Sequence, residues 1–251
     1  MIFLVSFRAR SGACHSHRCR MPLKRKEFQP CNKMGKIVSS ASRRDVAARC
    51  QLPPDAFSLY AQDQTGDCGR KYLNRDERQR VLGACTMLEI RHALFILVLA
   101  WTGARVSEIL ALTPRAFQVE RSLISIMTLK RRRWSVREVP IQPELMQLLA
   151  QEFSLPDAQQ DQQRCNVRLW PMHRVTAWRY VKHVMAVGGV SGRAACPRGM
   201  RHAFGVGTLQ AGVPITLLQR WMGHARLSTT AIYATVSGPE ELAMAKKFWD
   251  G

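Results

Sequence analysis

The chain has 251 residues, with 38 lysines and arginines against 18 aspartates and glutamates, for a net charge of +20. At 46% apolar and 22% charged residues it has the balance of a folded protein with a core, which excludes a disordered basic tail. The length fits one or two domains. The cation surplus favours a polyanionic partner, nucleic acid before a membrane surface, because each Lys or Arg set at a phosphate releases condensed counterions. The longest apolar stretch, Ala93 to Trp101, is about half of a bilayer span, and the run Ile2 to Phe7 is interrupted at once by Arg8 and Arg10. No transmembrane segment or signal peptide is therefore expected, and a cytoplasmic location is. Eight cysteines without a Cys-x-x-Cys pair argue for reduced thiols over a disulfide framework or zinc ribbon.

Residues 1 to 70 carry 13 basic and 5 acidic side chains with little period, and read as a basic, poorly ordered leader in which Met21 and Met34 are possible internal starts. Cys14, His15, His17 and Cys19 cluster there without the second ligand pair of a structural zinc site, so no metal is expected. A domain begins at Lys71 and is expected to run to residue 251. Asn74 followed by Glu77 predicts a capped helix through Val81, Leu82 and Cys85. Arg91 to Trp101 predicts a buried helix stopped by Thr102-Gly103, and Arg105 to Leu112 another, ended by Thr113-Pro114. Ser122 to Leu129 and Ser135 to Ile141 predict a β-hairpin whose tip is Lys130-Arg131-Arg132-Arg133. Pro143 to Phe153 reads as helix, the Gln-rich Pro156 to Gln163 as loop, and Met172 to Val187 as a helix ended by Gly188-Gly189. Short helices follow over Arg198 to Ala211, Pro214 to Met222, and from Ser228 as N-cap onward. The class is α+β, mostly helical, with a small antiparallel sheet.

The C-terminal third is the most informative. Arg201-His202, Gly223-His224 and Tyr233 are each weak signals alone. Together they supply cations, a hydrogen-bond donor and a phenol on short helices. A phenol titrates near pH 10 and is a poor nucleophile at neutral pH unless cations stabilise the developing phenolate.

Four segments in order resemble the tyrosine recombinase, or phage integrase, family. They are Thr102-Gly103-Ala104-Arg105-Val106-Ser107-Glu108-Ile109; Lys130 with Arg137-Glu138-Val139-Pro140; Arg198-Gly199-Met200-Arg201-His202-Ala203-Phe204; and Leu218 through Met222-Gly223-His224 to Ser228-Thr229-Thr230-Ala231-Ile232-Tyr233. The resemblance covers about residues 71 to 237 and implies the family's catalytic-domain fold. It implies a site-specific recombinase that cuts one DNA strand by attack of tyrosine on phosphate, forming a 3′-phosphotyrosine, and rejoins it to another 5′-hydroxyl. No ATP, metal or other cofactor is implied, because the covalent linkage conserves the bond energy and side chains carry the charge.

By this resemblance Tyr233 is the nucleophile, Arg105 and Arg201 clamp the phosphate, and Lys130 protonates the leaving oxygen. His224 donates to a nonbridging oxygen, and Arg131, Arg132 and Arg133 track DNA phosphates. Arg198 stands where the family usually has histidine, so it can bind phosphate but cannot accept the tyrosine's proton. His202 reads as structural. Glu108 orients a neighbouring basic side chain or forms a solvated helix face. The family's helical core-binding domain is not evident in residues 1 to 70, which suggests a reduced member with a weak, salt-sensitive grip on duplex DNA. The segment Gly238 to Trp249 suits a short helix that packs on a neighbouring protomer or on its own core, and a homo-oligomer on DNA is expected. The rival readings are a DNA-binding regulator or catalytically impaired remnant, and a type IB topoisomerase.

Overall fold

Two three-residue strands, β1 (Tyr60–Gln62) and β2 (Cys68–Arg70), pair antiparallel ahead of the helices, in a stretch to which the sequence assigned no structure. The computed structural model describes residues 60–62, 68–128, 135–234, 245–246 and 249. All lie in the unit Cys50–Gly251. The leader up to residue 59, with its Cys14/His15/His17/Cys19 group and internal starts, lies outside the described residues. So do the cationic hairpin tip at 129–134 and nearly all of the tail after Ala234.

Asn74 opens helix α1 (Arg75–Ala84) as its spacing from Glu77 predicts. Its Oδ1 accepts from the Glu77 N–H at 2.8 Å, and the Glu77 carboxylate accepts from the Asn74 N–H at 2.8 Å. Helix α2 (Ile90–Thr102) is the predicted apolar helix, with Ala93, Leu94, Phe95, Ile96 and Val98 each at most 1% exposed. A helix apolar on nearly every side must be covered on every side. Its C-cap is Gly103 at φ 59°, where a Cβ would stand 2.3 Å from Phe204 Cδ1. Both the left-handed backbone and the close ring require glycine. The predicted helix from Arg105 to Leu112 is shorter than expected: only α3 (Val106–Ile109) is α-helical. The N–H groups of Ala111 and Leu112 bond three residues back, to Glu108 and Ile109, so the end of the segment tightens into a turn.

The predicted hairpin is β4 (Leu123–Met127) with β5 (Val136–Pro140), in register Ile124↔Val139 and Ile126↔Arg137. A two-residue strand, β3 (Phe117–Gln118), adds to the far side of β4 and completes the order β3-β4-β5. Ile124, Ile126 and Val139, all 0% exposed, seat one face of this sheet on the helices. Helix α4 (Pro143–Glu152) follows as predicted. The stretch expected to be a Gln-rich loop instead contains helix α5 (Leu155–Gln160). Pro156 sits in its first turn, where a missing N–H costs nothing, and Leu155 and Ala158 turn inward at 0% and 3% exposure.

Helices α6 (Arg174–Val187), α7 (Pro197–Gln210), α8 (Ile215–Met222) and α9 (Ser228–Ala231) lie within two residues of expectation. Leu227, not Ser228, occupies the N-cap of α9. Helix α2 packs against α4, α6 and α7. Trp170, 2% exposed, anchors it by donating from Nε1 to the Arg91 carbonyl at 2.7 Å and by edge contacts with Phe95 and Phe153. Among the described residues no helix is long and apolar enough to cross a membrane. Truncating Phe95 to Ala removes a fully buried ring and leaves a cavity, so a urea titration should show a loss of about 3–5 kcal/mol with an unchanged slope.

Candidate active site

The polar centre is built around one carboxylate. Glu108 ends the first turn of α3 with its side chain 0% exposed. Its Oε2 accepts from the Arg105 backbone N–H at 2.9 Å, and its Oε1 from the Arg105 Nη1 at 2.8 Å. Arg137, in an inward slot of β5, donates to Oε2 from Nη2 at 2.7 Å. The same guanidinium donates from Nε to the Trp221 carbonyl at 2.7 Å and from Nη1 to Thr128 Oγ1 at 3.1 Å. Burial pushes the carboxyl up, but the hydrogen bond and charge of Arg137, with those of Arg105, outweigh it and hold Glu108 below the usual carboxylate range. Glu108 is thus the orienting residue, not a solvated helix face.

Arg201 comes from α7 and is 9% exposed. It donates from Nη1 to the Gly103 carbonyl, from Nη2 to the Met222 carbonyl at 2.7 Å, and from Nη2 to His224 Nε2 at 3.0 Å. These bonds draw the end of α2 and the end of α8 to one guanidinium. Burial and the charge of Arg105 lower its pKa to about 10, so it stays a cation at neutral pH. His224 follows the α8 stop at Gly223, and its Nδ1 faces Thr230 Oγ1 at 3.0 Å. Burial first, then Arg201 and Arg105, push His224 down to about 4. The ring is neutral, with Nε2 as acceptor and the proton assigned to Nδ1. Donation to a phosphate oxygen requires a second proton, which an anion beside the ring favours.

Tyr233 lies beyond α9, 3% exposed, in a cluster with Tyr72, Phe204, Leu218 and Met222. Its ring lies against the backbone of α7 at Gly205, where a Cβ would come within 2.8 Å of the ring carbons. The His224 ring lies parallel to it at 6.3 Å. The hydroxyl meets His202 Nδ1 at 3.1 Å. Burial raises the phenol to about 12, against the opposing charges of Arg201 and Arg105. Burial, then Arg201, Arg198 and Lys71, push His202 down to about 4.

A cleft of about 440 Å³ opens beside these groups, lined by Arg105, Arg137, Arg220, His224, Arg226 and Thr229 among others. Arg201 and Tyr233 do not line it. The structure therefore brings Arg105, Arg201, His224 and Tyr233 to one place. Arg198 is exposed in the first turn of α7, and Lys130 with Arg131, Arg132 and Arg133 lies outside the described residues. Sequence reasoning gave no role to Arg137, Arg220 or Arg226 and took His202 for a structural residue. Arg137 had one legible signal, a charge in the inward slot of an alternating strand; Arg220 and Arg226 had none that separates them from ordinary surface arginines.

This fold is that of tyrosine recombinase catalytic domains. It aligns with a XerA recombinase crystal structure at TM-score 0.60 and 24% identity over 73% of this chain and 67% of that one. The catalytic domain of bacteriophage HP1 integrase aligns at TM-score 0.51 and 23% identity, covering 70% of this chain and 94% of that one. A XerH site-specific recombinase bound to its difH substrate aligns at TM-score 0.56 and 20% identity, over 75% and 59%. The chain belongs to the phage integrase family, whose model matches residues 71–238. Tyrosine recombinase XerD of Haemophilus ducreyi is 27% identical over 64% of this chain and 55% of its own length. Tyrosine recombinase XerA of Thermococcus onnurineus is 31% identical over 66% and 58%. The chain thus spans a little over half the length of these curated relatives.

His202 and His224 bind protons less readily folded, at about 4, than at the unperturbed 6.5. The unfolded chain therefore takes up more protons in that window, and stability should fall as pH drops from 6.5 towards 4. Urea midpoints measured across this range should decline, and His224→Gln should flatten part of the slope.

Proposed function

We propose that this protein is a site-specific DNA recombinase or integrase, acting as a homo-oligomer on paired duplex sites, with residues 71–251 as its catalytic unit. The convergence of Arg105, Arg201, His224 and Tyr233, drawn from four separate segments, carries the reading. Arg105 and Arg201 grip the nonbridging oxygens of one phosphodiester and offset the charge of its five-coordinate transition state. The Tyr233 oxygen attacks phosphorus, and the bond to the 5′-oxygen breaks. Lys130 gives that oxygen its proton, while Arg131, Arg132 and Arg133 hold flanking phosphates. The resulting 3′-phosphotyrosine keeps the linkage energy, so a second 5′-hydroxyl rejoins the strand without ATP. Arg220 and Arg226 extend the cationic lining of the cleft along the DNA backbone. Family membership and the likeness to a recombinase bound to its substrate support DNA as the partner.

The deep burial of Tyr233 and the arginine at 198 favour a second reading, a DNA-binding regulator that no longer cleaves. A nicked suicide substrate separates the two. The recombinase reading expects covalent protein–DNA complex that vanishes in Tyr233→Phe. Lys130→Ala should slow trapping by about 10²–10⁴-fold. A 5′-bridging sulfur, which leaves without protonation, should restore it. Salt-sensitive binding without trapping supports the regulator.

A further inference from the structure

Tyr233 must lose a proton as its oxygen bonds to phosphorus. Arg198 cannot receive it, since an arginine holds its own proton far above neutral pH and offers no lone pair. His224 is engaged, accepting from Arg201 at 3.0 Å through Nε2 and facing Thr230 at 3.0 Å through Nδ1. His202 stands one helical turn after Arg198 on α7 and puts Nδ1 3.1 Å from the Tyr233 hydroxyl. His202 is thus a direct hydrogen-bond partner of this hydroxyl. With His202 as the Nε2–H tautomer, the phenol proton lies toward Nδ1, the arrangement that proton transfer along this contact requires.

We propose that His202 is the base that takes the phenolic proton of Tyr233 during cleavage, an inference that rests on the recombinase reading above. The Oη–P bond forms, the P–O5′ bond breaks, the Oη proton passes to His202 Nδ1, and the 5′-oxygen takes its proton from Lys130. In religation the imidazolium returns its proton to the departing Tyr233 oxygen, and Lys130 recovers one from the attacking 5′-hydroxyl. The charged groups facing His202 are Arg201, Arg198 and Lys71, and Tyr233 and His224 are its titratable neighbours. Burial and those cations keep the imidazole neutral in the absence of DNA, with Nδ1 ready to accept. A phosphodiester between Arg105 and Arg201 adds negative charge that grows in the transition state. That charge offsets the cations when the imidazolium forms.

His202→Asn tests this, because Asn Oδ1 occupies the place of Nδ1 and accepts a hydrogen bond but cannot take the proton. Single-turnover trapping on the nicked substrate should fall about 10²-fold at pH 7, with salt-dependent DNA binding and urea midpoint near wild type. The wild-type rate should rise with pH through an imidazole ionisation and then level. His202→Asn should lose that inflection, and a 5′-bridging sulfur should not rescue it. Adding Arg198→His should recover tenfold or more. Trapping by His202→Asn within about twofold of wild type, with the same pH profile, overturns the inference while the recombinase reading stands; absence of trapping by the wild type itself overturns both. Should His202→Asn fail to fold, ¹⁵N-histidine spectra of the intact protein decide. An unprotonated, hydrogen-bonded Nδ1 that shifts in Tyr233→Phe supports the assignment, and a protonated Nδ1 sinks it.

Discussion

The site depends on a buried carboxylate shared by two guanidinium groups. Glu108, wholly out of water, accepts from both Arg105 and Arg137 at 2.7–2.9 Å. An ionised carboxylate in that position is tolerable only because both partners are in place, and removing either strands a charge in the interior. The arrangement lets an arginine stand half-open to the cleft without collapsing onto its own helix. Arg105 begins α3 with extended backbone, φ −77° and ψ 149°, so its guanidinium leaves the helix at the point where Glu108 turns back to meet it.

A second guanidinium assembles the other half. Arg201 bonds to carbonyls at the ends of α2 and α8, groups that helices leave without internal partners. The cation is thereby fixed by backbone, while His224 is placed against it by the stop at Gly223. Burial first, and the clustered positive charge after it, set the titratable neighbours. The two histidines stay neutral, and the phenol feels opposing influences, burial upward and the arginines downward. The result is a cluster of cations around two neutral imidazoles and a protonated phenol.

Much of this was legible in the sequence, for identifiable reasons. The Asn74–Glu77 cap, the apolar α2 with its glycine stop and the β4–β5 hairpin are local signals, and local physics decided them. Helix α5 was read as loop because Pro156 and the glutamines outweighed Leu155 and Ala158, two inward contacts that only the tertiary fold reveals. Strand β3 has two residues and no pattern to detect. The resemblance to the family's motifs picked out Arg105, Arg201, His224 and Tyr233. It assigned nothing to Arg137 or Thr230, whose parts depend on distances between segments far apart in the chain. His202 was set aside for the same reason: its partner lies 31 residues on.

Arg137 has a mechanical consequence. One planar side chain joins the sheet, the α3 carboxylate and the last turn of α8, so the hairpin and the histidine-bearing corner are geared together. A displacement of strand β5 would thus strain the same guanidinium that holds the end of α8, next to which residue 224 stands.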